Sequence, residues 1–246
     1  MRQVIPTMGT VASIELPDGA VAVLTDIRTL LEEVEARFSL SRPTSELSRI
    51  AIGEMTLMDA SDAVRRAYAN ALLWRTATDG AFTPNRPDGV IDLNGIVKAE
   101  AIAAAGSALD AAGLPSWTVN IGGDLLTRGR DPRGGAWTIG IVDPSVPGGQ
   151  LCAITLEGSR RAVATSGTIE RGDHLWLGST TATCEFVQVT VVAADIVTAD
   201  VLATAIAAGG SKTLDDATAH WDIDVLTADR AGRLRATPGM RSALVA

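Results

Sequence analysis

The sequence predicts a single-domain α+β fold, residues 1–246, with a mainly antiparallel sheet packed against helices. Helical and strand-like segments do not alternate strictly, which disfavours a doubly wound parallel sheet. No repeat of fixed period and no low-complexity linker divides the chain. At 46% hydrophobic and 20% charged residues, 246 residues can close a sizeable core.

The elements follow in order. Residues 8–16 alternate well enough for a strand. A helix is expected from Asp18, because Leu24, Ile27, Leu31, Val34 and Phe38 recur at spacings of three and four. A second helix begins after Ser61, with Val64, Tyr68 and Leu72 as its apolar stripe. "TDGAFTPNRPDG" is dense in turn formers and reads as loop. "VIDLNGIVKAEAIAAAGSALDAAG" reads as a short strand turning into an Ala-rich helix. "WTVNIGG", "AWTIGIVDP", "LCAITL", "RAVAT" and "TCEFVQVTVVA" read as strands, with "PSVPGG" as a turn. "TADVLATAIAAGG" is a helix stopped by Gly-Gly; a short helix from Ser211 and the strand "DIDVLTA" follow.

Composition excludes some partners. Twenty-one Lys+Arg against 29 Asp+Glu give a formal charge of −8, which disfavours nucleic acid or an anionic membrane surface. Neither a signal peptide nor a segment of transmembrane length is visible, so the expected compartment is the cytoplasm, without membrane insertion. Cys152 and Cys184 lack metal-ligand spacing and are expected as buried free thiols.

Four stretches carry candidate chemistry, each beside a plainer reading. Gly122, Gly123 and Asp124 follow a strand, where two glycines permit close approach of a ligand to the main chain, or a tight hairpin turn. Thr165, Ser166, Gly167, Arg171 and His174 offer hydroxyls, a cation and an imidazole, or an ordinary polar loop. His220 carries no such context. Asp92 and Lys98 flank a turn that starts a helix; a lysine there opposes the macrodipole, so it points to solvent or answers a ligand's charge. Asp200 and Thr204, four apart, put two hard oxygen donors on one helical face. Alternatively, Asp200 is a first-turn acid and Thr204 bonds back to a carbonyl.

The order of these stretches adds what none gives alone. Met8-Gly9-Thr10, "RFSLSRPTSELSRI", "DGAF", "DLNGIVK", "NIGGD", "WTIGIVDP", "ATSG" with Arg171 and His174, and "ADVLATA" succeed one another over residues 5–228. The series resembles the FAD:protein FMN transferase (ApbE-type) family, of which this would be a short, divergent member. The resemblance implies FAD bound in an extended cleft with Mg²⁺ at its pyrophosphate. Family enzymes cleave that pyrophosphate, release AMP, and attach FMN to a Thr or Ser hydroxyl of an acceptor protein. It also implies that Asp200 and Thr204 hold the metal with a backbone carbonyl at Gly95, and that His174 and Asp200 are catalytic. Met8, Ala81, Phe82, Asp92 and Lys98 fall at flavin- or nucleotide-contacting positions. Ser41, Thr83, Gly122, Gly123, Asp124, Thr165, Ser166, Gly167 and Arg171 complete the expected binding set.

Ser41 stands where the family carries an aromatic, and Thr83 where it carries a carboxylate. "DLNG" replaces "DLGG", Val97 replaces an alanine, and "LWLGST" stands where an Asp-Pro follows the histidine. The expectation is therefore a Mg²⁺-dependent flavin transferase. The alternatives are a non-catalytic flavin or nucleotide carrier on the same scaffold, and an FAD pyrophosphatase giving FMN and AMP.

Overall fold

The chain opens on a hairpin, β1 (Arg2–Thr7) and β2 (Thr10–Glu15), with Thr7 opposite Thr10. Met8 and Gly9 make its two-residue turn with φ of 48° and 71°, the backbone that keeps a tight hairpin in step with strand twist. The sequence pattern shows one strand over 8–16, because no Asn-Gly marks the reversal. The computed structural model describes residues 1–146, 148–167 and 184–245.

Helix α1 (Val21–Phe38) buries Leu24, Ile27, Leu31 and Phe38 as their spacing requires, while Val34 is half-buried. Ser45 and Ser61 cap α2 (Glu46–Ala51) and α3 (Asp62–Ala77), each side chain accepting a hydrogen bond from the main chain three residues on. In α3 the buried stripe is Val64, Ala67 and Ala71; Tyr68 and Leu72 are half-buried. The short strand expected before α4 (Asn94–Ala111) is an isolated bridge between Asn85 and Ile91.

Among the described residues, eight further strands follow. They are β3 (Trp117–Ile121), β4 (Asp124–Arg128), β5 (Thr138–Val142), β6 (Gln150–Thr155), β7 (Ala162–Gly167), β8 (Phe186–Ala193), β9 (Asp224–Asp229) and β10 (Leu234–Ala236). The main sheet has the order β1-β2-β3-β4-β7-β8-β9-β10 with every pair antiparallel. β5 and β6 form a separate antiparallel pair. The α+β prediction holds.

Helix α5 (Ile196–His220) starts at an N-cap, Asp195, whose carboxylate accepts from Thr198 N at 2.8 Å. Inside it Gly210 leaves helical geometry (φ 68°, ψ −154°), so the Gly-Gly break read from the sequence is a kink within one element. Glu185 secures it, accepting from Ser211 N at 2.8 Å and Ser211 Oγ at 2.5 Å. A carboxylate at a helix N-terminus complements the exposed N–H groups and the dipole.

The sheet separates two cores. On one face α1, α4 and α5 pack Ile27, Ile102 and Leu202 against Ile14, Val119 and Val191. On the other, the β5–β6 pair and α6 (Pro238–Ala243) cover Leu125, Val163, Val192 and Leu226. A third cluster joins α2, α3 and the start of α4 through Leu47, Val64, Phe82 and Ile96. Cys152 and Cys184 are half-buried free thiols, less enclosed than expected; burial pushes the Cys152 thiol up from its ordinary pKa. Among the described residues, no helix is long and apolar enough to cross a membrane.

Candidate functional site

The β3–β4 connection places the first site residues. Ile121 pairs with Asp124, so Gly122 and Gly123 form a two-residue turn with φ of 58° and 94°. The tight-turn reading is right, and both glycines also line a cavity of about 1810 Å³. Asp124, the first residue of β4, turns inward and has no exposed surface. Its Oδ1 accepts from Thr165 N at 2.9 Å, and its other oxygen pairs with the Lys98 ammonium.

Lys98 is therefore not a solvent lysine. Its side chain is 11% exposed and stands 3.8 Å from Asp200 Oδ1 as well. An ammonium can be buried in the first turns of α4 because carboxylates from β4 and α5 face it. Asp200 is fully buried, in the second turn of α5, which has no acid in its first turn; the N-cap Asp195 occupies the position favoured by the dipole. The reading of Asp200 as a first-turn acid is thus corrected. One turn on, Thr204 Oγ1 lies 3.1 Å from Ser166 Oγ. Thr165 Oγ1 lies 2.9 Å from Thr190 Oγ1. Thr165, Ser166, Gly167, Thr204 and Lys98 line the cavity, while the buried Asp124 and Asp200 stand behind its wall.

Met8, Ala81, Phe82, Thr83, Asp92 and Gly95 line the same cavity. Gly95 has a local reason: a Cβ there would sit 3.0 Å from the Phe82 ring, so glycine lets the ring lie against the start of α4. Asp92 Oδ1 accepts from Asn94 N at 2.9 Å, holding the turn into that helix. Ser41 is exposed, hydrogen-bonds Ser39 at 3.0 Å and stands apart from the cavity lining. Arg171 and His174 lie outside the described residues.

Sequence reasoning missed Thr10, Asn120, Gln188 and all of β5 as cavity residues. The polar alternation of Ser13 with Glu15 and Thr118 with Asn120 marked one solvated sheet face and could have shown part of the lining. The stretch "WTIGIVDP" contains β5 and reads as a strand, but nothing in it marks a cavity wall.

Among the described residues, no group of three or more His, Cys, Asp or Glu is placed to hold a metal. The donors at issue are of another kind: the Asp200 carboxylate, the Thr204 hydroxyl on the same helical face and the Gly95 carbonyl. All are oxygen, a set that fits a small hard divalent cation.

The ApbE family's sequence model matches residues 8–86 and 84–227. The chain belongs to the ApbE family. Among ApbE relatives, a protein named FAD:protein FMN transferase from Vibrio cholerae serotype O1 is 26% identical over 215 residues, covering 66% of this chain and 64% of that protein. The match therefore spans a little under two thirds of the relative's length. Solved ApbE structures share the fold. The flavin transferase ApbE from Vibrio cholerae aligns at TM-score 0.78 and 22% identity over 99% of both chains. The apo form of the Pseudomonas stutzeri flavinyl transferase ApbE aligns at 0.80 and 19%, over 100% of this chain and 97% of that one. The Thermotoga maritima ApbE protein aligns at 0.81 and 21%, over 100% and 99%.

Proposed function

We propose that this chain transfers FMN from FAD to a Thr or Ser hydroxyl of an acceptor protein, with Mg²⁺ bound and AMP released. One observation carries the reading: a single cavity joins the expected flavin positions Met8, Ala81 and Phe82 to the hydroxyls of Ser166 and Thr204. Family membership and the name of the Vibrio cholerae relative support it.

The chemistry is a substitution at phosphorus. The acceptor oxygen forms a bond to the FMN phosphorus, and the bond from that phosphorus to the bridging pyrophosphate oxygen breaks. The electron pair leaves with AMP, and the acceptor proton passes to a base, for which His174 is the candidate. Such transfers depend on positioning and charge neutralisation more than on covalent help from the protein. Asp200, Thr204 and the Gly95 carbonyl would hold the cation, which supplies positive charge at the phosphate oxygens. Lys98 adds a fixed ammonium beside them, and Asp124 keeps it aimed while accepting from Thr165 N. Ser166 and Thr204 orient the phosphate end, and Phe82 with Met8 shields the ring end from water.

The test is to incubate the protein with FAD, Mg²⁺ and Ser/Thr-containing peptides, then assay AMP and peptide-bound flavin. Both should form, and both should disappear with a chelator and in Asp200→Asn. AMP with only free FMN identifies a pyrophosphatase. Tight FAD binding without AMP identifies a carrier, the outcome that the position of Ser41, outside the cavity, would make intelligible.

A further inference from the structure

The cavity is long and open, with room beyond a small ligand. At about 1810 Å³ it exceeds the roughly 300–1,000 Å³ typical of small-molecule sites. Its lining includes all of β5: Thr138, Ile139, Gly140, Ile141 and Val142. Side chains of a strand alternate between faces, so five consecutive lining residues mean that the strand presents its main-chain edge.

The hydrogen-bond parity identifies which groups that edge offers. Leu156 N donates to Trp137 O at 2.9 Å, and the register pairs Thr138 with Thr155 and Gly140 with Ala153. In an antiparallel ladder, bonded and non-bonded pairs alternate. Trp137, Ile139 and Ile141 therefore turn their main-chain groups toward β6, and Thr138 and Gly140 turn theirs away. The same parity sends the Ala153 carbonyl outward from β6, where Val245 N donates to it at 2.9 Å. Leu244 adds a bridge to Ile154. One side of the hairpin is thus covered by the chain itself. On the other, the N–H and C=O groups of Thr138 and Gly140 have no hydrogen-bond partner among the described residues.

The edge also lacks the usual protection. β1 carries Arg2 and Pro6, and β10 has three residues, both common ways to discourage strand addition. β5 reads Thr-Ile-Gly-Ile-Val, without charge or proline. Its far end is fastened beside the phosphate-end residues, because Gln188 Nε2 donates to Val142 O at 3.1 Å and Gln188 pairs with Gly167.

We infer that the acceptor protein docks as an extended strand on this open edge of β5, which delivers its Thr or Ser hydroxyl toward Gly167 and Ser166. The occupant is a polypeptide segment of low charge that exchanges main-chain hydrogen bonds with Thr138 and Gly140, a strand-addition mode of recognition. This rests on the transferase reading, since only a protein acceptor needs the edge.

The probe is a pool of ten-residue peptides, each with one central Thr among small and β-branched residues, assayed with the full chain, FAD and Mg²⁺. A labelled peptide is then resynthesised with single backbone N-methyl groups at successive positions. Strand docking expects labelling to fall at alternate positions and persist between them; a uniform or irregular profile overturns it. On the protein side, Thr138→Pro removes one outward N–H at the first position of the strand, where proline is tolerated, and Thr138→Val keeps it. Thr138→Pro should raise KM for the peptide by roughly fivefold, the value of about one hydrogen bond, with Thr138→Val near the parent. Equal effects of the two variants, or none, overturn the inference. FAD cleavage without any labelled peptide instead overturns the transferase reading, and the docking with it.

Discussion

Lys98 is the residue on which the site's interior depends. It joins α4 to β4 through Asp124 and stands within 3.8 Å of Asp200 on α5. Lys98→Met keeps the length of the side chain and removes the charge, leaving buried carboxylates that were set against it. A loss of about 3–5 kcal/mol is expected, the range for breaking a buried ion pair from one side, read as a lower urea midpoint. Thr204→Val makes a contrast. It deletes the partner of Ser166 Oγ without touching a charge, so stability should fall by only about 1 kcal/mol while FAD cleavage is lost.

Among the elements, α4 approaches β3 and β4 closely at Gly106. A Cβ at that position would meet Trp117 Cη2 at 2.6 Å and Leu126 Cδ2 at 3.0 Å. Gly106→Ala gains roughly 1 kcal/mol of helix propensity but overpacks the contact, which costs about 1–3 kcal/mol. Net destabilisation in urea is expected, although glycine-to-alanine changes in helices ordinarily stabilise. Helices α1, α3, α4 and α5 were legible because their apolar spacing is local, and so were β3 and β5 through β9, whereas β4 was not. The Met8–Gly9 reversal, α2, β10 and α6 are too short to leave a periodic trace. Asp200 and Thr204 could be paired on a helix face from their spacing, and the structure keeps them there. The burial of Lys98 could not be read, because its partner Asp124 lies on another element and helix-local rules send such a lysine to solvent. Likewise, the openness of β5 depends on which edge the C-terminal residues cover, and that is a fact of topology.

Across the whole molecule, carboxylates held by hydrogen bonds and nearby cations set the response to acid. Burial raises the pKa of Asp110, but hydrogen bonds from Arg128 and Trp117 and the charges of Arg128 and Arg161 outweigh it and hold the carboxyl below its ordinary value. Hydrogen bonds from Ser211 do the same for Glu185. A carboxylate whose folded pKa is depressed contributes stability above its unfolded pKa and loses it as pH falls through the folded one. Asp110→Asn should therefore lower the urea midpoint at neutral pH and converge with the parent at low pH, checked by denaturation across an acid pH series. The C-terminal residues have a different reach. Val245 and Leu244 shield the outer edge of β6. Ending the chain at residue 243 would leave the hairpin with two sticky margins, one facing inward and one facing outward. Light scattering should then show pairs of molecules zipped through their β6 strands: Leu244 and Val245 are what keep this fold from becoming its own binding partner.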